Sequence, residues 1–319
     1  MTVVQPISAS PGPPEAWRSR PYPQVLRGPA HRWWRPLVGL AVVVAGIAVI
    51  FLLTAVAIGV GGLVGLVDLS AIEESFDQWW MLLATNLGIA ALVPVVMLAT
   101  WAGHGWRPGW TSSVVGRLRW AWLGLVAAVS TVLLVGSSLV LFLVDGWPSG
   151  GGRDVVAFLL VVALTTPLQA AGEEYLFRGW LTQAVGSLFA RAAVGGVVAA
   201  LVSAVLFALA HGGQDPWLFA DRLAFGLLAS ALVWWTGGLE AAIAVHAVNN
   251  VVVFVPSVLT GSVDDALTVT AAPPSLVALD VAVMVVLGVV LVALARRRRV
   301  QRLFVPPDVR VLVPPRPLG

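Results

Sequence analysis

Long apolar runs alternate along this chain with short stretches that hold most of its charges. Apolar and small residues dominate 37–66, 79–101, 119–144, 154–178, 193–211, 217–236, 239–256 and 276–295. A helix needs roughly 20 apolar residues to cross a hydrocarbon core, so the pattern predicts an all-α, polytopic integral membrane protein with about eight transmembrane helices. One membrane-embedded domain, 37–295, follows. Residues 1–36 are rich in Pro and Arg (Arg18, Arg20, Arg27, Arg32, Arg35) without an apolar period, and they read as a flexible basic tail. Residues 296–319 open with four arginines and read as a second basic tail.

The sixth helix is the weakest of the set. Asp221 and Arg222 stand near its start, and the fourteen apolar or small residues after them span about 21 Å at ~1.5 Å per residue. That falls short of the ~30 Å core. The turn at 212–216 is therefore expected within the membrane thickness, where polar backbone is tolerated only beside protein or in a wet cavity.

Composition agrees with a lipid environment: 11% of residues are charged and 59% hydrophobic, with a mean hydropathy of +0.91, where a soluble domain carries about a quarter charged residues. The absence of cysteine excludes disulfides and thiolate chemistry. Arg107, Arg117 and Arg119 in the loop 102–119 and the run Arg296–Arg299 contrast with acidic loops at 67–78 (Asp68, Glu73, Glu74, Asp77) and 257–275 (Asp264, Asp265). Arginine-rich flanks favour the cytoplasm, so both termini are expected there, in a multi-pass cell-membrane protein. The net charge of +3 reflects such flanks, and no nucleic-acid partner is implied. The first apolar run is too long for a cleavable signal peptide and is expected to be kept. Trp33, Trp34, Trp79, Trp80, Trp101 and Trp106 fall at predicted helix ends, the ordinary place for interfacial anchors.

Ionisable groups inside spanning helices are costly and usually functional, and few are present. Glu173, Glu174 and Arg178 stand at the predicted end of helix four, Phe207 and His211 at the end of helix five, and His246 and Asn250 within helix seven. Glu174 with Arg178, and His246 with Asn250, are i,i+4 pairs that share a helix face. Singly, Glu174–Arg178 is as well explained by a structural ion pair and each His by packing. Together they suit a reactive centre. Without Cys or a serine in a nucleophile-elbow context, the nucleophile is expected to be water. A buried carboxylate beside a like charge can take its proton, while imidazole and carboxamide groups can hold an oxyanion. Two His and a carboxylate could instead hold zinc; His-Glu-x-x-His is absent, and metal-dependent and metal-free water activation both stay open. Gly226 and Ser230 suit close helix packing, and Glu240 and Asp280 read as interface residues.

Glu173-Glu174-x-x-x-Arg178, Phe207-x-x-x-His211 and His246-x-x-x-Asn250, in this order, resemble the CAAX-protease and bacteriocin-processing family of intramembrane endopeptidases. Arg222-Leu-Ala-Phe-Gly226 and Thr236-Gly-Gly-Leu239 also look like the family's, with Ser230 a mild departure; residues 1–150 carry none of the resemblance. The resemblance implies an eight-span helical fold in which Glu173 activates water and His211 assists it or ligates a metal. His246 and Asn250 would stabilise the oxyanion, with Glu174 and Arg178 in support. It implies a membrane-associated peptide substrate: best-known members trim prenylated proteins ending in Cys-aliphatic-aliphatic-X, and others are linked to bacteriocin immunity or maturation. A proton-coupled transporter and a catalytically idle scaffold remain alternatives. Simple counting puts Glu173 and His211 at opposite membrane faces, and only the short sixth helix brings them together.

Overall fold

The computed structural model describes residues 19–28, 31–67, 78–147 and 149–306. Arg18, the acidic loop residues Asp68, Glu73, Glu74 and Asp77, and the tail beyond 306 lie outside them. The chain forms α1 (Arg35–Leu63), α2 (Trp79–Ala90), α3 (Leu92–His104), α4 (Trp120–Asp145), α5 (Val155–Glu174), a π-helical stretch (Tyr175–Leu181), α6 (Thr182–Ser187), α7 (Ala192–Leu209), α8 (Pro216–Thr236), α9 (Glu240–Thr260), α10 (Val263–Thr268) and α11 (Pro274–Arg297). Two short strands, β1 (Arg20–Pro21) and β2 (Leu303–Phe304), pair antiparallel. Eight helical runs are long and apolar enough to cross a membrane, as the hydrophobic pattern predicts.

Three differences from that pattern have physical causes. The second run, expected as one helix, turns at Ala91 between α2 and α3. Pro94 accounts for the turn, since it has no N–H to give and its ring would collide with the carbonyl four residues earlier, at Ala90. The fourth run does not stop at Arg178 but continues through the π-helical stretch to Ser187. Glu173 and Glu174 therefore stand inside a 33-residue helical run, not at its end. Within the segment read as a tail, residues 20–26 are buried. The Tyr22 hydroxyl donates to the Thr111 carbonyl, and Gln24 Nε2 donates to the Phe189 carbonyl at 2.7 Å.

The packing places α5 at the centre, with α2 and α9 on either side of it. α1 packs on α3, α4 on α9, α7 on α8, and α8 on α11. Much of the outer surface is Leu, Val and Phe, and α1 exposes Leu37, Phe51, Leu52, Leu53 and Leu63 among others. A surface of this kind is matched to lipid tails and not to water. Trp33, Trp101 and Trp120 at helix ends are exposed. Trp106 is not an anchor of that kind, because its ring meets Trp110 and Phe304 edge-on.

Two close approaches fix the helices that carry the site. A Cβ on Gly172 would lie 2.1 Å from the Ile89 carbonyl oxygen, so α5 and α2 touch backbone to backbone. Beside that contact, Asn86 Nδ2 donates to Thr165 and Thr166 at 2.9 and 3.2 Å. A side chain on Gly226 would meet the Ala204 backbone at 2.8 Å, which brings α8 onto α7. Backbone cannot yield as a flexible side chain can. Gly172→Val is accordingly expected to lower the melting temperature of the detergent-solubilised protein by about 5–10 °C, checked by a thermal unfolding scan; an unchanged midpoint would show that the two helices separate freely.

On one end of the bundle Arg119 grips Glu240, the residue that opens α9. Its Nε and Nη2 reach the two carboxylate oxygens at 2.8 and 2.6 Å, and its Nη1 donates to the Thr236 and Gln301 carbonyls. Glu240 is fully buried. It is an anchoring carboxylate and not the interface residue its place in the sequence suggests.

Candidate active site

A cavity of about 530 Å³ lies among α2, α5, α7, α8, α9, α10 and α11. Glu173, His211, His246 and Asn250 all line it. The two other motif residues, Glu174 and Arg178, are fully buried and are not part of its wall. The six residues are thus brought together in two layers, one facing the cavity and one behind it.

The buried layer begins with an ion pair along one helix face. Arg178 Nη1 donates to Glu174 Oε1 at 3.0 Å, with both side chains completely buried. The guanidinium also lies over the Phe207 ring, 4.1 Å from its centroid, a cation–π contact that strengthens away from water. The π-helical stretch that carries Arg178 begins directly after Glu174. Its Phe177 carbonyl accepts from Thr182 Oγ1 and from Ser203 Oγ, both at 2.9 Å. A wide turn of this kind is frequent at functional sites, and here hydroxyls from two helices hold it in shape.

His246 joins the layers. Its Nδ1 lies 2.8 Å from Glu174 Oε1, and its Nε2 lies 3.4 Å from Glu173 Oε2. A carboxylate only accepts, so the contact with Glu174 makes Nδ1 the donor and fixes the ring plane. His211 is held differently. Its Nδ1 meets the Phe207 carbonyl at 2.8 Å, and a carbonyl likewise only accepts, so the proton sits on Nδ1 and the Nε2 lone pair is left for another partner. Phe207 stands between the imidazoles, with ring centroids 4.7 Å from His211 and 5.8 Å from His246. One aromatic ring therefore spaces the two histidines around a common cavity. Counting along straight, membrane-crossing helices would have separated Glu173 from His211. Glu173, well inside the longer fourth run, and His211, just past the end of α7, nevertheless line the same cavity; α8, at 21 residues, is not the short helix on which their meeting was expected to depend.

Further polar groups complete the wall. Gln169, one turn before Glu173, donates from Nε2 to Glu173 Oε1 at 2.8 Å and accepts from Asn250 Nδ2 at 3.1 Å. Asp221 and Asp280 also line the cavity, near enough to act on one another electrostatically. Asp280, expected at an interface, is therefore a cavity residue supplied by α11. Arg222 Nη1 donates to Gln214 Oε1 at 2.6 Å, and the Asp215 carboxylate caps α8 at Leu218 N. A search keyed on ionisable groups at helical spacing found Glu173, His211 and His246. It passed over Gln169, whose only signal is that it stands i−4 to Glu173.

Among the described residues, no group of three or more His, Cys, Asp or Glu forms a set that could hold a metal ion. The donors that face the cavity do not fit the zinc expectation. Glu173 lines the wall beside imidazole and carboxamide groups, and its Oε2, buried 3.4 Å from His246 Nε2, has no hydrogen-bond partner. That arrangement can accept a proton from one reactant while donating to another.

Residues 153–252 match the model of the type II CAAX prenyl endopeptidase Rce1-like family. The matched segment contains Glu173, Glu174, Arg178, His211, His246 and Asn250, the residues that carry the motif resemblance. No curated protein and no solved structure matches the chain.

Proposed function

Proceeding from that family match, we propose that this chain is an intramembrane endopeptidase that hydrolyses peptide bonds of membrane-associated substrates by glutamate-activated water. The observation that carries the reading is the convergence of Glu173, His211, His246 and Asn250 on one cavity among apolar helices. Glu173 takes a proton from water as the water oxygen bonds to the peptide carbonyl carbon. His211, with its Nε2 lone pair open, holds the same water. The oxyanion accepts from the Asn250 amide and from the Nε2–H that the His246 ring carries when doubly protonated, its Nδ1–H being given to Glu174. When the tetrahedral species collapses, the C–N bond breaks and the proton passes from Glu173 to the departing amine, leaving a carboxylic acid and a new N-terminus. Glu174 and Arg178 hold His246 and Phe207 in place and touch no substrate. The eight apolar helices give such an enzyme access to substrates that lie in or against the bilayer. A C-terminal Cys-aliphatic-aliphatic-X peptide and a bacteriocin-type precursor are the two substrate classes to try, and the arginine-rich flanks support a cytoplasmic location for both termini.

The test is cleavage of a quenched, membrane-anchored peptide library by the purified protein in detergent, with and without chelator. The wild type is expected to cut, and Asn250→Ala to lose roughly 10²-fold in kcat with KM little changed. Chelator is expected to leave the rate unaltered. Loss with chelator and recovery with zinc would replace the glutamate-and-water mechanism with a metal one. Failure to cut any member would favour a transporter or an idle scaffold.

A further inference from the structure

We infer that Gln169 is a positioning residue that sets the hydrogen-bond polarity of the reaction site. The inference rests on the endopeptidase reading and extends it to a residue outside the three motifs. Gln169 is buried on α5 against the cavity, and it bridges the two groups given opposite tasks in hydrolysis, the Glu173 carboxylate and the Asn250 amide.

Donors and acceptors fix the polarity of the bridge. A carboxylate has nothing to donate, so Glu173 Oε1 at 2.8 Å obliges Gln169 to turn its NH₂ group toward it. The Gln169 carbonyl is then left to face α9, where it meets Asn250 at 3.1 Å. A carbonyl cannot donate, so Asn250 in turn has to present its NH₂. The charge on one side chain thereby decides, through a single neutral amide, which way a second amide points across two helices. Asn250 is kept with its donor group at the wall, as oxyanion stabilisation requires, and Glu173 is left with Oε2 free of hydrogen bonds. Without Gln169 the Asn250 amide has no reason to prefer either orientation, and Glu173 loses the contact that holds its carboxylate plane.

The titratable groups around this bridge are few. Glu173 stands on the same helix and His246 comes from α9, while α7, α8 and α11 bring His211, Asp221, Arg222 and Asp280 to the same cavity. From α2 the cavity receives Thr85, Asn86 and Ile89, none of them charged.

Two substitutions that a space-filling role would not distinguish test the inference. Gln169→Leu removes the bridge at similar volume and is expected to lower kcat about 100-fold, the scale of a misplaced reacting group, with KM within threefold and a melting temperature within a few degrees of wild type. Gln169→Glu introduces a carboxyl beside Glu173. While the pair shares one proton, that carboxyl can donate its O–H to Glu173 and accept from Asn250, which reproduces the polarity of the glutamine. Its activity is therefore expected near wild type on the acid side and lost as rising pH strips the shared proton, whereas Gln169→Leu is depressed equally at all pH values. Wild-type rates in Gln169→Leu, or losses of equal size and pH-independence in both variants, would overturn the inference while leaving the endopeptidase reading intact. Absence of cleavage by the wild type itself would instead remove that reading, and this inference with it.

Discussion

Glu173→Gln is expected to abolish turnover, with a fall in kcat of roughly 10³–10⁴ against the purified wild type, while the protein stays folded. The size follows from the task. General base catalysis contributes about 10²–10⁴-fold, and 10³ corresponds to about 4 kcal/mol of barrier. The fold should survive because the amide is close to the carboxylate in shape and keeps an oxygen for Gln169 Nε2, now 2.8 Å from Oε1. What the change removes is the carboxylate's capacity to take a proton. Side-by-side cleavage assays and thermal scans check both halves. Retention of full activity would rule out Glu173 as the base, and loss of folding would reassign it to structure.

The second large effect is on stability. Arg178→Ala is expected to cost about 3–5 kcal/mol and about 10 °C or more in melting temperature, and to remove activity as a result. Glu174 is fully buried, and without the guanidinium its charge would face only His246 Nδ1 at 2.8 Å. The Phe207 ring would also lose the cation 4.1 Å from its centroid, and with it the spacer between the two histidines. Arg178→Lys should recover little, since an ammonium lacks the flat group that covers the ring. If Glu174→Gln is combined with Arg178→Met, the double variant is expected to be more stable than the sum of the single losses predicts, because no buried charge is then left unpaired. Strict additivity of the two losses, measured by denaturation in detergent, would contradict a coupled pair.

How much of this was legible in the sequence depends on the range of the interaction. The eight apolar runs were readable because bilayer thickness sets a length that each helix meets by itself. The polar stripe at Glu174 and Arg178 was readable from spacing, yet it also misled: two glutamates and an arginine look like the end of a span, whereas the helical run goes on to Ser187. Pro94 stands in the sequence, but the apolar run on both sides of it masks its effect on Ala91. Residues 20–26 could not have been placed, because their partners, Thr111, Phe189 and the β2 strand, lie far along the chain. Within the site, charged residues announced themselves by their cost in lipid. Gln169 did not, since a neutral amide in a helix is cheap until its two partners are known. Asp280 was misread for a different reason: only the packing of α11 on α8 turns it inward.

The pairing of Arg20 with Phe304 also bears on the order in which the molecule is made. At about 5–20 residues per second, the ribosome delivers β2 roughly 15–60 s after β1. During that interval β1 has no strand to pair with, and the β1–β2 ladder closes only after α11, which precedes β2, has been made. A nascent chain stopped before Leu303 leaves β1 without its ladder.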